Sequence, residues 1–220
     1  MLSNEKRLKI IAVGAHPDDI ELACGGTLAY AVNQGHDVTM IVVTGNSSLD
    51  HHGNSIRTDL EAKSEQLNAA KKLGVSQIEI LGFEDMDVPY SKELVSRLDK
   101  IINDINPDIT FTHFVFDTHQ DHIRTAQSTL SAARKQNTIL LYEPINPSGR
   151  GYMPFRAQVY FDISSTIDNK ISSLKEHKSQ YIKYGDNWIG GVTARAKFRG
   201  FEMGAEYAEC FELVRMEVKL

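Results

Sequence analysis

The chain has 220 residues, of which 41% are hydrophobic, 24% are charged and 8% are aromatic. This composition is typical of a folded globular protein and excludes a disordered, collagen-like or coiled-coil chain. The length supports one sizeable core but not two ordinary domains, so we predict a single domain over residues 1–220. With 24 basic and 29 acidic residues the net charge is −5, which argues against nucleic acid or an anionic membrane as the main partner.

The cysteines and the N-terminal segment bear on the cellular compartment. Cys24 and Cys210 lie far apart and form no CxxC pattern, which favours a reducing environment. The first apolar run is too short for a secretory signal and is followed by charged residues after Ala15. No window reaches the roughly 18 apolar residues of a transmembrane helix. We therefore expect a cytoplasmic protein with no membrane partner.

Short apolar runs alternate with helix-spaced apolar patterns through the first two thirds of the chain. In chain order, the patterns predict strand 8–15, helix 20–34, strand 36–44, helix 55–73, strand 77–81, helix 92–105, strand 108–114, helix 121–135 and strand 138–142. The less regular last third predicts strand 158–163, helix 166–181 and strand 209–218. Because such alternation forms right-handed crossovers, we predict an α/β fold with a mainly parallel sheet and helices on both faces.

Two adjacent glycines interrupt the first predicted helix. Gly25 and Gly26 each cost a helix interior about 1 kcal/mol relative to alanine. We therefore expect either close backbone packing at this point or a helix that begins later than its apolar pattern.

Two segments dense in ionisable residues follow predicted strands. His16-Pro17-Asp18-Asp19 comes after the first strand, and residues 113–122 come after the fourth. In open parallel sheets, ligands bind beyond the carboxyl ends of the strands. The topology can therefore bring these two segments to one edge of the sheet, although about a hundred residues separate them.

The first segment can hold an imidazole and a carboxylate at a fixed spacing. His16 and Asp19 flank a strand-to-helix turn, and Pro17 restricts the backbone in a way that suits the first turn of a helix. The acidic pair Asp18-Asp19 also has an ordinary explanation, because carboxylates cap and stabilise helix N-termini. On this segment alone, a functional site and a helix cap both stay open.

The second segment contains His119, Asp121 and His122. If a helix starts near Asp121, the two imidazoles project to neighbouring positions, and the carboxylate can orient a ring by accepting its N–H. Histidines also cluster at helix starts without binding a ligand, so this segment by itself leaves a structural role open.

Together the segments offer two imidazoles and one carboxylate, from His16, His122 and Asp19. Such a set leaves coordination positions open and suits catalytic Zn²⁺ as well as non-haem Fe(II). The neighbouring acid/base groups Asp18 and His119 favour a metallohydrolase, since an oxygenase needs no such base. A nucleotide-binding module is disfavoured, because GAHPDD stands after the first strand in place of a phosphate-binding GxGxxG.

The same residues carry a family resemblance. Residues 15–21 (AHPDDIE), followed by Gly25-Gly26, resemble the first signature of the LmbE-like (PIG-L) de-N-acetylases, and residues 119–122 (HQDH) resemble the second. The resemblance covers nearly the whole chain and includes residues 176–180 (EHKSQ). It implies a Rossmann-like fold and a zinc-dependent hydrolase with one Zn²⁺ per chain, similar to the N-acetylglucosaminyl malate deacetylases of bacillithiol synthesis.

The implied reaction removes the acetyl group from an N-acetylglucosamine-type glycoside and releases acetate and a free amine. The partner is then a small amino-sugar substrate. The alternative is hydrolysis of another amide, such as an antibiotic or polysaccharide intermediate. Members of the family are often oligomeric, whereas the composition of this chain leaves a homo-oligomer open.

The resemblance also implies roles for single residues. The metal ligands would be His16, Asp19 and His122. Asp18 would be the general base, and protonated His119, oriented by Asp121, would stabilise the oxyanion. The substrate-binding residues would be Arg57, Asp85 and Arg150.

One departure from the family concerns substrate recognition. Members often carry an arginine three residues before the position of Glu65, where this chain has Ala62. Arg57 lies nearby, and whether it replaces that arginine is open. Arg150 belongs to a segment rich in glycine and proline, residues 146–154, which either covers the site or is a solvated connection.

Overall fold

The computed structural model describes residues 6–45, 48–49, 55–145, 148–149, 151 and 153–218. Arg150, one of the predicted substrate-binding residues, lies outside the described residues. The strands are Lys9–Gly14 (β1), Asp37–Thr44 (β2), Ser48–Leu49 (β3), Ser55–Arg57 (β4), Gln77–Phe83 (β5), Ile109–Thr112 (β6), Ile139–Tyr142 (β7), Val159–Asp162 (β8) and Ala208–Arg215 (β9). The helices are Asp19–Asn33 (α1), Asp59–Lys72 (α2), Lys92–Ile105 (α3), Gln120–Ala132 (α4), Ile167–Glu176 (α5) and Lys178–Met203 (α6).

Seven strands form one sheet in the order β5-β2-β1-β6-β7-β9-β8. The first five of these are parallel, whereas β9 is antiparallel to both β7 and β8. The chain builds outward from β1 to β2 and β5, then crosses to the other side of β1 and continues with β6 and β7. The strand order therefore reverses between β1 and β6, which is where doubly wound sheets bind ligands. The predicted α/β fold with a mainly parallel sheet is confirmed.

Helices cover both faces of the sheet, because alternate residues of a buried strand point to opposite sides. Ile10 and Ala12 of β1 join a core that includes residues of α1 and α2, whereas Ile11 and Val13 join a core that includes residues of α3 and α4. Helix α5 packs against α1 and α2. Within the described ranges, no helix combines the length and the hydropathy needed to cross a bilayer.

The helix predicted over 55–73 begins later than its polar pattern. Its first residue is Asp59, since the side chain of Thr58 accepts from the backbone N–H of Glu61 and the Glu61 carboxylate accepts from the Thr58 N–H. These reciprocal bonds satisfy N–H groups that a helix start leaves unpaired. The residues before the cap form β4, which pairs with β3.

The helix predicted over 166–181 is two helices. Helix α5 ends at Glu176, because the φ of −76° and ψ of 66° at His177 leave the helical region, and α6 then runs from Lys178 to Met203. The apolar spacing along the sequence gives no sign of this break, because residues with helical spacing flank it on both sides.

The Gly25-Gly26 pair shows both close backbone packing and a late helix start, the two features that the sequence offers as alternatives. Helix α1 is kinked at Cys24, and the Glu209 carboxylate accepts the backbone N–H groups of Gly26 at 3.0 Å and Thr27 at 2.7 Å, which caps the second half of the helix. A Cβ atom at Gly26 would lie 2.8 Å from Ile163. Close packing and a second helix start therefore coincide here.

Candidate metal centre

The two ionisable segments meet at the point where the strand order reverses. Strands β1 and β6 are parallel neighbours, so the turns after their carboxyl ends lie side by side. The turn after β1 carries His16, and the turn after β6 leads through residues 113–119 into α4. The two ionisable segments can therefore form one site at this edge of the sheet, although they are far apart in the sequence.

The structure brings the predicted metal trio together. His16 Nδ1 lies 3.3 Å from Asp19 Oδ2, His122 Nε2 lies 3.3 Å from Asp19 Oδ1, and the two ring nitrogens are 3.3 Å apart. All three side chains are buried. A tetrahedral metal with ligand distances of about 2.0–2.1 Å separates neighbouring ligand atoms by roughly 3.3 Å. The donor set and its spacing thus fit a divalent ion.

Further side chains extend this trio into a larger cluster. Ligand atoms lie within 4.8 Å of one another in three sets: His16, His119 and His122; Asp19, His113 and His122; His16, Asp85 and Asp121. Each set shares at least one residue with the predicted trio. The metal-binding groups therefore form one continuous cluster of imidazoles and carboxylates.

Asp117 holds the ring of His122. Its Oδ2 lies 3.0 Å from Nδ1 of His122, so Nε2 of that ring is left to face Asp19. Burial lowers the pKa of His122, but Asp19 and Asp117 outweigh burial and raise it to about 9. The sequence motifs by themselves give Asp117 no role. The available signal was a carboxylate in the same short segment as the two histidines.

Asp121 and Asp85 both contact His16. Oδ2 of Asp121 lies 3.0 Å and Oδ1 of Asp85 lies 3.1 Å from Nε2 of His16. The Asp121 carboxylate also accepts the backbone N–H groups of Met86 and Val88, which anchor it. The carboxylate therefore contacts His16, whereas the backbone N–H of Asp121 contacts His119, and the orientation of His119 by Asp121 stays a prediction. Asp85, a predicted substrate-binding residue, is partly exposed beside the same ring.

His119 differs from the expectation of a protonated ring. Its Nδ1 accepts the backbone N–H of Asp121 at 3.2 Å, so the ring proton resides on Nε2. Burial and the neighbouring His122 and His16 lower the pKa of His119. The ring is half-buried, with its centroid 4.7 Å from that of His16. A neutral N–H donor therefore lies beside the trio.

Asp18 is not a helix cap. It is the residue before α1, yet its side chain makes no capping hydrogen bond, and its φ of 106° lies in the left-handed region. Non-glycine residues in this region cost about 1–3 kcal/mol and cluster at functional sites. Burial and the adjacent Asp19 raise the pKa of Asp18 to about 6. Of the two open interpretations of the first segment, the geometry favours the site.

His113 is a further member of the cluster that we did not expect. Its ring stacks on His122 with a centroid distance of 4.0 Å, and its Nε2 lies 3.2 Å from Asp19 Oδ2. Burial and His122 lower the pKa of His113 to about 4. The sequence signal was weak, because a histidine that follows a buried strand is equally compatible with core packing.

Arg57 is placed differently from a substrate-binding arginine. Its side chain is 2% exposed, and NH1 donates to Glu65 Oε2 at 3.1 Å and to Ser179 Oγ at 3.3 Å. The position of the family arginine, Ala62, is fully buried. Arg57 therefore reaches Glu65 from β4, and its burial argues against the predicted direct contact with substrate.

The fold and the cluster define an α/β protein with a candidate divalent-metal centre at the carboxyl edge of a parallel sheet. A family model described as PIG-L, GlcNAc-PI de-N-acetylase, matches residues 11–133, which is more than half of the chain. The chain belongs to the PIG-L family, so the predicted resemblance is confirmed. Membership in a deacetylase family supports enzymatic activity.

Similar proteins extend over most of the chain. The chain is 36% identical over 185 residues to an uncharacterized deacetylase, YaiS, of Escherichia coli K12, covering 80% of this chain and 94% of that protein. It is 24% identical to the diacetylchitobiose deacetylase of Thermococcus kodakarensis, covering 94% of this chain and 83% of that protein. It is 26% identical to a probable N-acetyl-α-D-glucosaminyl L-malate deacetylase 2 of Bacillus cereus, covering 78% and 83% respectively.

Solved structures confirm the fold. The N,N′-diacetylchitobiose deacetylase from Pyrococcus horikoshii superposes with a TM-score of 0.81 at 22% identity, covering 96% of this chain and 85% of that chain. GalB from Pseudomonas putida KT2440, a 4-carboxy-2-hydroxymuconate hydratase, superposes with a TM-score of 0.80 at 19% identity, covering 97% and 99%. A deacetylase and a hydratase thus share this fold, and the fold alone does not choose between their reactions.

Proposed function

We propose that this protein is a zinc-dependent hydrolase that removes the acetyl group from an N-acetylglucosamine-type glycoside. One observation carries the proposal. The ring nitrogens of His16 and His122 lie 3.3 Å apart, and each lies 3.3 Å from a different carboxylate oxygen of Asp19. Next to this trio in the chain is Asp18, whose backbone is left-handed and whose side chain makes no capping bond. A metal site next to a spare base is what hydrolysis of an amide requires.

His16, Asp19 and His122 would hold one divalent ion. When bound, Zn²⁺ supplies a Lewis acid that polarises the amide carbonyl and lowers the pKa of water. Asp117 and Asp121 orient the two rings through the nitrogens that face away from the trio. Such partners typically contribute about 10- to 100-fold in metal affinity.

Asp18 would accept the proton of the attacking water as the new C–O bond forms. It would then pass this proton to the amine nitrogen as the C–N bond breaks, so that acetate and a free amino sugar leave. A positioned base of this kind contributes roughly 10²–10⁴ in rate. Since the side chain of Asp18 makes no hydrogen bond to the described residues of α1, its oxygens can take part in this transfer.

His119 would stabilise the carbonyl oxygen as it becomes negative. Its Nε2 carries the ring proton, because Nδ1 is occupied by the N–H of Asp121. A neutral donor fixed in this way needs no protonation before each turnover. One such donor stabilises the transition state by on the order of 3–4 kcal/mol.

The relatives favour an acetylated amino sugar as substrate. One is named for diacetylchitobiose and another for an N-acetylglucosaminyl malate conjugate. What these compounds share is an acetamido group on a glucosamine ring, whereas the groups attached to that ring differ. We therefore propose the 2-acetamido sugar as the recognised unit, with hydrolysis of another amide as the alternative.

A panel of N-acetylglucosaminyl glycosides tests the proposal. The purified zinc-loaded protein should release acetate and an equal amount of free amine from at least one member. A chelator should abolish this release, and added Zn²⁺ should restore it better than Fe²⁺ does. Release that is indifferent to chelator, or amine production from unrelated amides only, would contradict the proposed reaction. A hydratase would consume an unsaturated acid without releasing acetate.

A further inference from the structure

An open pocket lies beside the candidate metal centre, at the same edge of the sheet. The metal centre follows the carboxyl ends of β1 and β6, whereas the pocket follows those of β6 and β7, which are parallel neighbours. Phe114 and Phe116 line the pocket from the turn after β6, Glu143 from the end of β7 and Arg195 from α6. It encloses about 340 Å³ of empty space, part of it open to solvent. A molecule bound at the metal centre therefore has this pocket next to it.

Asp117 forms the boundary between the pocket and the metal centre. Its Oδ2 lies 3.0 Å from Nδ1 of His122, its Oδ1 accepts the backbone N–H of His119 at 2.9 Å, and the same residue lines the pocket. One residue thus separates the pocket from a predicted metal ligand and from the predicted oxyanion donor. When the acetamide of a sugar lies at the metal centre, the group attached to that sugar is within reach of the pocket.

Aromatic side chains form one wall of the pocket. The ring of Phe114 is buried, and its centroid lies 5.7 Å from that of Phe116 and 5.6 Å from that of Phe155, both in edge-on contact. Phe116 and Met153 are 40% and 42% exposed, and both line the same pocket. Single exposed apolar side chains are ordinary on a protein surface, whereas several that line one pocket are typical of a ligand site. The pocket therefore favours a ligand group with an apolar face.

The charged side chains at the pocket are paired with one another. Arg195 NH1 donates to Glu143 Oε1 at 2.8 Å. Glu143 Oε2 also accepts Arg199 Nε at 3.1 Å, and Arg199 NH1 donates to Glu202 at 2.6 Å. Two guanidinium groups thus balance two carboxylates, while both oxygens of Asp117 contact the metal centre. Among the described residues that line the pocket, an anionic ligand would have to compete with Glu143 for Arg195. The pocket therefore favours an uncharged group.

We propose that this pocket binds the group attached to the acetamido sugar, and that this group is an uncharged ring whose apolar face packs on Phe116. The proposal rests on the function proposed above, because it places the acetamide of the same molecule at the metal centre. A second sugar ring and an aryl ring share the required chemistry, since each is uncharged and has a flat apolar face. A short group that ends in a carboxylate lacks both features.

Glycosides of N-acetylglucosamine that differ only in the attached group test the pocket in the zinc-loaded protein. The four groups are methyl, phenyl, glucosyl and carboxymethyl. We expect kcat/KM for the phenyl or the glucosyl compound to exceed that for the methyl compound by roughly 3- to 10-fold, mainly through a lower KM, because one aromatic contact contributes about this much. The better of these two compounds identifies the ring. If the carboxymethyl compound is the best substrate, or if all four are equal, the proposal is overturned.

Variants at the aromatic wall then test the contact. In Phe116→Ala, the ratio of kcat/KM between the preferred ring compound and the methyl compound should fall to about 1, because the variant removes the surface on which the ring packs. Phe201→Ala is the control, since that side chain is 82% exposed on α6 and does not line the pocket. If Phe116→Ala does not fold, Met153→Ala carries the test and should lower the same ratio. An unchanged ratio overturns the proposal.

A measurement without turnover separates this proposal from the proposed function. Phenyl glucosaminide has a free amine, so it has no acetyl group to lose. Saturation-transfer NMR should show transfer from the wild-type protein to the phenyl protons, and much less transfer from Phe116→Ala. If no glycoside releases acetate, the proposed function fails, and this measurement still decides whether the pocket binds a ring. Absence of transfer from the wild-type protein overturns the pocket proposal.

Discussion

The carboxylate of Asp121 lies against His16, 105 residues away, and not against His119, its neighbour in the motif. Oδ2 of Asp121 is 3.0 Å from Nε2 of His16, while only the backbone N–H of Asp121 reaches the His119 ring. One residue thus contacts the His16 ring of the candidate metal centre with its side chain and the His119 ring with its main chain. The two functions can be separated by mutation.

Asp121→Asn should weaken zinc binding more than it alters the His119 ring. The substitution removes the negative acceptor from His16 but keeps the backbone N–H, so we expect about a 10- to 100-fold loss of zinc affinity. Competition with a chelating dye measures the zinc affinity. Asp104→Asn, at an exposed ion pair with Lys100, is the control. Wild-type zinc affinity together with a low kcat would return Asp121 to the role of orienting His119.

Asp18→Asn should keep its zinc and lose most of its turnover. The amide matches the carboxylate in size but cannot accept a proton at neutral pH, so the rate should fall by roughly 10²–10⁴. Elemental analysis gives the zinc content, and acetate release gives the turnover. A variant that works at the wild-type rate would remove Asp18 from the chemistry.

His122→Ala should lose the metal. The ring supplies Nε2 to the trio, and the two remaining ligands are too few to hold zinc tightly. His36→Ala is the matched control, because His36 precedes β2 at the opposite edge of the sheet, where its ring accepts the Leu8 N–H. Zinc measured in both purified variants decides the point, and equal occupancy in the two would refute the ligand assignment.

Gly26→Ala should destabilise the fold. Its Cβ would lie 2.8 Å from the Cβ of Ile163, which is close to the main chain and cannot swing away. Overpacking of this kind costs about 1–3 kcal/mol. Gly190→Ala in α6 meets nothing within 4 Å and should be neutral or stabilising by up to about 1 kcal/mol. Thermal unfolding compares them, and a Gly26→Ala variant as stable as Gly190→Ala would contradict the packing argument.

The sequence by itself determined the order of the elements from β1 to β7, apart from the short β3 and β4, and the chemical types gathered at the site, but it did not predict α6 as a separate helix. The helix predicted over 92–105 matches α3 residue for residue, since Ser91 caps its start and Asn106-Pro107 ends it. Two short motifs predict His16, Asp19 and His122 as the metal ligands. These features depend on local spacing, turn residues and side-chain type, all of which are readable along the chain. The single domain, the compartment and the oligomeric state stay predictions.

Only the tertiary structure decided which of these groups touch. Asp117 beside His122 and Asp121 beside His16 are set by the strand order and by helix packing. Such contacts depend on the angles at which distant elements pack, and these angles cannot be predicted from local sequence patterns.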